Sequence, residues 1–100
     1  MNIKHAQYML TVMQEGSITA AAKKLYISQP SLSQMIKLVE NNLGTAIFNR
    51  STDPITLTYA GEKYIEAAKQ ILTINNNLQK EIDEINHEDH GCLKLGIPVQ

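Results

Sequence analysis

Apolar residues recur every three or four positions at the start of the chain, the spacing that places side chains on one face of an α-helix. This pattern predicts a first helix over residues 3–13, and Gly16 follows it as a C-terminal glycine does. Ser17 then stands where its side chain can cap a second, alanine-rich helix over residues 18–25. The first quarter of the chain therefore predicts two short helices joined by a tight turn.

A third helix is predicted within residues 27–44, with Ser28 as its N-terminal cap. Pro30 fits there because a residue in the first turn has no intrahelical hydrogen bond to lose, whereas deeper in the helix it would cost about 3 kcal/mol. At about 100° per residue, the large apolar side chains fall within one narrow sector that should face the core. These residues are Leu32, Ile36, Val39 and Leu43.

Another face of this third helix collects side chains that are short or carry an amide. A merely solvated face is usually rich in Glu and Lys, which are better helix formers. Gln can pair bidentately with adenine, Ser can donate or accept, a proline ring can contact a thymine methyl, and Lys can bind guanine or a phosphate. Two interpretations remain open at this point, a surface for base edges and a solvated face of unusual composition. The residues are Gln29, Pro30, Ser33, Gln34, Lys37 and Asn41.

Two short runs that favour β-structure follow, at residues 46–50 and 55–57, with a turn containing Pro54 between them. They predict a small hairpin. Three helices followed by a hairpin form the winged helix-turn-helix, in which the third helix enters the major groove and the hairpin lies on the backbone or minor groove. The predicted fold class is mainly α, with a winged helix-turn-helix DNA-binding domain at residues 1–58, here called the head.

Thr58 is placed to cap a long helix over residues 59–87, which spans roughly 40 Å at about 1.5 Å per residue. One stripe, with Ile65 and Leu72, is expected to pack back on the head. Another keeps spacings of four and three, which is typical of a helix that pairs with a second copy, and a polar Asn in it commonly fixes the register. The alternative is a long helix that only covers its own core. The predicted dimerisation seam comprises Tyr64, Ala68, Ile71, Asn75, Leu78, Ile82 and Ile85.

Charge is divided unevenly along the chain, although the net charge is only -1. Residues 1–64 hold six basic and four acidic residues, whereas residues 65–100 hold three basic and six acidic residues. The positive balance of the first part is a weak electrostatic signal, so strong nonspecific affinity for DNA is not expected.

The composition limits the classes of protein to which this chain could belong. A hundred residues with 43% hydrophobic content predict one small domain, and a single cysteine excludes an internal disulfide. No run approaches the roughly 18 apolar residues of a membrane span, and the N-terminus lacks a signal sequence, so a cytoplasmic protein is expected. The sequence shows no paired carboxylates, no nucleophile beside a base and no phosphate-binding glycine loop, so we expect no enzyme and no cofactor.

Beyond the long helix, residues 88–100 are expected to form a polar hinge and the first strand of a further domain that this chain does not contain. Leu93, Leu95 and Ile97 alternate with smaller or polar residues as a strand requires. A metal or redox site is the alternative for this segment, but its spacing is weak, and we expect a solvated linker without a metal ion. The residues concerned are His87, Asp89, His90 and Cys92.

Five motifs resemble the DNA-binding region of the LysR-type transcriptional regulators, with the gaps between them in register. They are G-S-I-T-A-A-A-K-K-L from Gly16, S-Q-P-S-L-S from Ser28, I-x-x-V-E-x-x-L-G from Ile36, I-F-N-R from Ile47 and L-T-Y-A-G from Leu57. The resemblance covers residues 1 to about 87. It implies a winged helix-turn-helix on a linker helix that pairs antiparallel in a homodimer, with tetramers common among full-length proteins. It further implies dyad promoter sites and a C-terminal domain, absent here, that binds a small-molecule effector.

The resemblance also implies roles for individual residues. Positions that match the base-contacting residues are Gln29, Pro30, Ser33, Gln34 and Lys37. Positions that match the phosphate-contacting residues are Ser17, Thr19, Ser28, Ser31, Arg50 and Thr58.

Two departures from the family pattern carry predictions. Position 34, often Arg in the family, is Gln34 here, which favours adenine over guanine. The hairpin tip, commonly basic, carries Asp53, so the hairpin should contribute less to DNA binding, with Arg50 as its main anchor. Glu40 is placed either to pair with Arg50 or to lie exposed. A sequence-specific DNA-binding regulator is the predicted function, and the alternative is a protein-interaction module with the same fold.

Overall fold

The computed structural model describes residues 1–89 and contains four helices and one two-stranded antiparallel sheet within that part of the chain. In the sheet, Phe48 pairs with Leu57 and Asn49 with Thr56. The predicted mainly α, winged helix-turn-helix fold is confirmed. The elements are α1 (Ile3–Glu15), α2 (Ile18–Leu25), α3 (Gln29–Leu43), β1 (Phe48–Asn49), β2 (Thr56–Leu57) and α4 (Tyr59–Asp89).

Side-chain caps begin α2, α3 and α4 at the positions that the sequence predicts. The Ser17 hydroxyl accepts from the amide of Ala20, and the Ser28 hydroxyl accepts from the amide of Ser31, each at 3.2 Å. Thr58 accepts from the amide of Gly61 at 2.9 Å. These bonds satisfy amides that have no partner inside their own helix, so each helix start is fixed by local chemistry.

A single core joins the head to the first half of α4. Leu32 and Ile36 of α3 are fully buried, and Val39 is nearly so. Leu43 was predicted to share this core, but it is 51% exposed because the last turn of α3 extends past the packed elements. The other buried hydrophobic residues of this core are Ala6, Met9, Val12, Ala21, Ala22, Ile47, Phe48, Tyr64, Ile65 and Ala68.

The hairpin is fastened at both of its ends. Ile55 donates its amide to the carbonyl of Gly16 at 2.9 Å, so the second strand is tied to the turn between α1 and α2. At the other end, Gly61 of α4 lies so close to the carbonyl oxygen of Ile47 that a Cβ at position 61 would overlap it. The backbone of α4 therefore touches the hairpin directly, and only glycine permits that contact.

The helix α4 has two different halves. Ile65 and Ala68 are buried against the head and Leu72 packs at the edge of the core, which confirms the predicted contact with the head. From residue 73 the helix leaves the head, and its side chains are exposed through residue 87. The helix continues to Asp89, so residues 88–89 of the predicted hinge are helical. The predicted strand with Leu93, Leu95 and Ile97 lies outside the described residues.

Candidate nucleic-acid interface

The outward edge of α3 is built by the same periodicity that buries its other side. Leu32 and Ile36 turn inward, and this orientation directs the predicted base-contacting side chains away from the core. Gln29, Pro30, Gln34 and Lys37 are exposed, whereas Ser33 is half-buried. The structure therefore gathers all five predicted residues along one edge, and four of them are open to a ligand.

Two of the predicted DNA-contacting residues bind each other. The hydroxyl of Thr19 in α2 donates to Oε1 of Gln29 in α3, with 3.1 Å between the oxygens. The bond leaves both N–H donors of the Gln29 amide and one lone pair of its carbonyl for another partner. Thr19 thus orients a base-contacting candidate, a role that sequence reasoning did not assign to it.

The serines at the starts of α2 and α3 are partly occupied by capping. The Ser17 hydroxyl accepts from its helix, and its proton remains available to a phosphate oxygen. The Ser28 hydroxyl accepts from the Ser31 amide and lies 2.8 Å from the Ser31 hydroxyl, to which it donates. The Ser31 hydroxyl proton therefore points away from Ser28, and the pair presents one donor beside the N-terminus of α3.

Glu40 connects α3 to the hairpin through both of its carboxylate oxygens. Oε2 accepts from the amide of Ile47 at 2.8 Å and from the amide of Phe48 at 3.4 Å. Oε1 lies 3.3 Å from Nη2 of Arg50, which confirms the ion pair that the sequence left open. Arg50 keeps further N–H donors and its side chain is 43% exposed, so it can still meet a phosphate.

Thr58 has less capacity for a DNA contact than its predicted role requires. Its hydroxyl accepts from the Gly61 amide and donates to the carbonyl of Ala46 at 2.7 Å. The single proton of the hydroxyl is therefore engaged within the chain, and a bond to phosphate would break it. Through these two hydrogen bonds, Thr58 joins the hairpin to α4.

The tip of the hairpin is short and carries a negative charge. Thr52 donates to the carbonyl of Asn49 at 3.1 Å, which closes the turn, and Asp53 is exposed beside it. An exposed carboxylate repels phosphates, so the only favourable charge that the described hairpin offers to DNA is Arg50.

The predicted dimerisation seam is corrected in its first half. Tyr64 and Ala68 are buried in the core of their own chain because α4 packs its first three turns on the head. Ile71 is half-buried and Asn75 exposed, while Leu78, Ile82 and Ile85 are 55%, 42% and 52% exposed. The spacing could not distinguish the face that meets the head from the face that meets solvent.

The exposure of Ile74 and Tyr26 could not be predicted from the sequence. Ile74 is 68% exposed on α4, one position before the Asn75 of the predicted seam. Tyr26 is 95% exposed in the turn that precedes α3 and has a left-handed backbone, with φ at 58°. The sequence gives no signal for Tyr26, since this conformation usually belongs to glycine or asparagine.

Residues 1–89 contain no group of three or more histidine, cysteine, aspartate or glutamate side chains placed to hold a metal ion. Of the residues weighed for a metal site, His87 is exposed on α4, and His90 and Cys92 lie outside the described residues. Within that same part of the chain, each helix is too short or too polar to cross a membrane.

Comparison with known families decides the identity of this fold. The family model described as "Bacterial regulatory helix-turn-helix protein, lysR family" matches residues 3–62, which include α1, α2, α3 and the hairpin. The chain belongs to the LysR family. The match ends just after Gly61, so the LysR family model covers the closely packed head and the start of α4.

The relatives that match nearly the whole chain include HTH-type transcriptional regulators. The HTH-type transcriptional regulator BsdA of Bacillus subtilis is 39% identical over 100 residues, which cover 99% of this chain and 34% of BsdA. The HTH-type transcriptional regulator MetR of Haemophilus influenzae is 30% identical over 97 residues, covering 97% of this chain and 31% of MetR. The chain therefore spans about a third of the length of these relatives.

Solved LysR structures share the fold. The BenM DNA-binding domain in complex with catB site 1 DNA superposes with a TM-score of 0.80 at 32% identity, covering 85% of this chain and 96% of that one. The CbnR DNA-binding domain in its DNA complex gives a TM-score of 0.77 at 30% identity, covering 85% of this chain and 98% of that one.

Proposed function

We propose that this chain is the DNA-binding region of a LysR-type transcriptional regulator and that α3 enters the major groove of a dyad promoter site. The observation that carries this proposal is the outward edge of α3, where Gln29, Pro30, Gln34 and Lys37 are exposed while Leu32 and Ile36 anchor the helix from behind. Amide, hydroxyl and ammonium groups along one helix edge match the donors and acceptors of the major groove.

The surroundings of that edge support DNA more than a protein partner. The hydroxyls of Ser17 and of the Ser28–Ser31 pair lie at the N-terminal ends of α2 and α3, where backbone amides and the helix dipoles also favour phosphate. Arg50 adds a cation on the hairpin side. The shared fold of the BenM and CbnR DNA-binding domains, each solved in complex with DNA, points the same way.

The assembly follows from α4. Its exposed apolar side chains beyond the head need a cover, and a second copy in a homodimer provides one while placing two α3 helices for the two halves of a dyad site. We assign residues 1–58 to DNA binding, 59–87 to dimerisation and 88–100 to the hinge toward an effector-binding domain. A regulator of bacterial promoters acts in the cytoplasm, where the DNA is.

Base recognition by Gln29 is the decisive test. Duplexes selected by the protein from a random library should contain an inverted repeat, and Gln29→Ala should weaken binding by about 1–3 kcal/mol at one base position in each half-site while leaving the preference elsewhere intact. Binding is measured by fluorescence anisotropy on the selected duplex and on its single-base variants, at fixed salt.

Gln7→Ala is the matched control, because Gln7 is an exposed glutamine that belongs to α1 and not to α3. It should bind the selected duplex as the parent does. An equal loss for Gln29→Ala on every duplex would show that Gln29 only positions the protein. Selection that enriches no sequence, together with no binding at low salt, would reject the proposal and favour the protein-interaction module.

A further inference from the structure

One large apolar side chain is exposed on the outward side of α3. Leu38 is 50% exposed, although leucine is usually a buried residue. The residues that surround it on the surface of the helix are polar and exposed, namely Ser31, Gln34, Asn41 and Asn42. Leu38 is therefore a single apolar group among groups that donate and accept hydrogen bonds.

Leu38 is as well placed to meet a ligand of α3 as Lys37, a predicted base-contacting residue. At about 100° per residue, Gln34 lies within about 15° of the direction opposite the buried side of α3. Lys37 and Leu38 lie about 50° to either side of that direction, and each is about one turn nearer to the C-terminus. A groove that receives Gln34 and Lys37 therefore also receives Leu38.

The hairpin leaves the Leu38 flank of α3 open. Glu40, which accepts from the amide of Ile47 in the hairpin, lies about 160° around the helix from Leu38. The ion pair with Arg50 is made by the same carboxylate. The hairpin is therefore bound on the opposite side of α3, and the flank with Leu38 is accessible to one wall of a major groove.

The major groove offers one kind of apolar group, the C5-methyl group of thymine. Its other groups are donors and acceptors, which Gln34 and Lys37 can bind but a leucine cannot. A protein partner is usually bound through a contiguous apolar patch, and the polar neighbours of Leu38 provide none. The surroundings of Leu38 therefore favour DNA over a protein surface.

We propose that Leu38 contacts the C5-methyl group of a thymine and thereby makes α3 prefer thymine at one position of each half-site. This inference rests on the proposed function and adds a specificity-determining residue to it. Leu38 lies about 6 Å beyond Gln34 along the helix axis, and adjacent base pairs are about 3.4 Å apart. The thymine therefore lies within about two base pairs of the base that Gln34 contacts.

Removal of single methyl groups from the DNA tests this contact with the full chain. In one half-site of the selected duplex, each thymine is replaced in turn by deoxyuridine, which lacks the methyl group but keeps every hydrogen-bonding group. Burial of one methyl group corresponds to about fourfold in affinity, so the parent should lose about fourfold at one thymine. This thymine should lie within about two base pairs of the position at which Gln34→Ala no longer distinguishes bases. Binding is measured by fluorescence anisotropy at fixed salt.

Leu38→Ala should bind the thymine and deoxyuridine duplexes equally at that one position. Losses at a thymine that contacts another residue, such as Pro30, should persist in this variant. Alanine is the best helix former and Leu38 is half-exposed, so the variant should fold. Leu38→Met keeps a long apolar side chain and should keep most of the parental discrimination.

Leu43→Ala is the matched control, because Leu43 is a leucine of the same helix that is 51% exposed. It lies within about 15° of the buried direction of α3, so it should leave the discrimination at every thymine unchanged.

The possible failures of this proposal are distinguishable. Equal deoxyuridine losses in the parent and in Leu38→Ala at every thymine would overturn the role of Leu38 and leave DNA recognition by Gln29 intact. A uniform loss for Leu38→Ala on every duplex, with weaker self-association in sedimentation, would assign Leu38 to a protein contact and also overturn it. A parent chain that selects and binds no DNA would reject the proposed function, and the thymine contact with it.

Discussion

Glu40 in α3 and Arg50 after β1 form an ion pair, with 3.3 Å between Oε1 and Nη2, while the other oxygen of Glu40 holds the amide of Ile47. One carboxylate thus links the helix proposed to contact bases to the arginine proposed to contact phosphate. The Glu40 side chain is 16% exposed, so its bonds to the hairpin are shielded from water.

Replacing Glu40 should destabilise the protein measurably. In Glu40→Ala the amide of Ile47 loses its acceptor, and a buried, unsatisfied amide costs about 1–3 kcal/mol. We expect that loss in the free energy of unfolding from urea titration, together with weaker DNA binding because Arg50 is no longer held. Glu15→Ala is the control, since the exposed pair of Glu15 with Lys24 contributes about 0–1 kcal/mol. Equal losses in the two variants would contradict the bracing role of Glu40.

Gly61→Ala should be among the most damaging single changes where α4 meets the head. The new Cβ would overlap the carbonyl oxygen of Ile47, which also accepts from the amide of Thr58 at 2.9 Å, so α4 and the hairpin must separate. We expect a loss of about 3 kcal/mol or more in thermal unfolding. Gly44→Ala isolates the backbone effect, because its φ is +77° with open space around it, and should cost about 1–2 kcal/mol. Similar values for the two variants would show that the contact at Gly61 relaxes easily.

Tyr64→Phe should stabilise the protein and alter its alkaline stability. The buried Tyr64 hydroxyl has no hydrogen-bond partner among the described residues, so removing it should raise the free energy of unfolding by up to about 1 kcal/mol. Burial also raises the pKa of Tyr64 above its ordinary value of 10.0, so the unfolded chain ionises first and the parent loses stability as pH rises past about 10.

The alkaline effect is checked by urea unfolding between pH 7 and 11. The advantage of Tyr64→Phe should be constant below about pH 9 and grow above it. Tyr59→Phe, at a tyrosine that is 76% exposed, should follow the parent curve. A gap between Tyr64→Phe and the parent that narrows with pH would show that the folded chain stabilises the ionised phenolate, which would contradict the raised pKa.

Asp53→Arg should strengthen DNA binding through the hairpin. Removing the exposed carboxylate and adding a cation lets the tip approach a phosphate, which raises affinity and steepens the slope of log K against log salt by about 1. The slope is measured by anisotropy over several salt concentrations. Asp83→Arg places the same charge change on α4 as a control and should move the slope much less. An unchanged slope for Asp53→Arg would mean that the hairpin tip stays away from the DNA.

Most of the head could be predicted from the sequence because its signals are local. Ser17, Ser28 and Thr58 cap helices by bonds to residues three positions ahead, and such contacts can be inferred from sequence spacing alone. The buried side of α3 followed from periodicity, except for Leu43, whose exposure depends on where neighbouring elements end.

The first half of the dimerisation seam was wrong for a physical reason. A wheel shows which residues share a face, but only the packing angle of α4 on the head determines which face is buried. Tyr64 and Ala68 therefore lie inside the core, and Ile74, which the predicted seam did not include, is exposed next to the exposed Asn75. The bond between Thr19 and Gln29 was equally hidden, since it joins two helices across ten positions of sequence.

The bond between Thr19 and Gln29 affects the entropy that the protein loses when it binds DNA. A free glutamine side chain loses up to about 2 kcal/mol of rotational entropy when it is immobilised. Because Thr19 already restrains the Gln29 amide before any ligand arrives, part of this entropy is lost during folding rather than during association. Thr19→Val should therefore keep both N–H donors of Gln29 but weaken DNA binding, because the Gln29 amide becomes mobile before it binds.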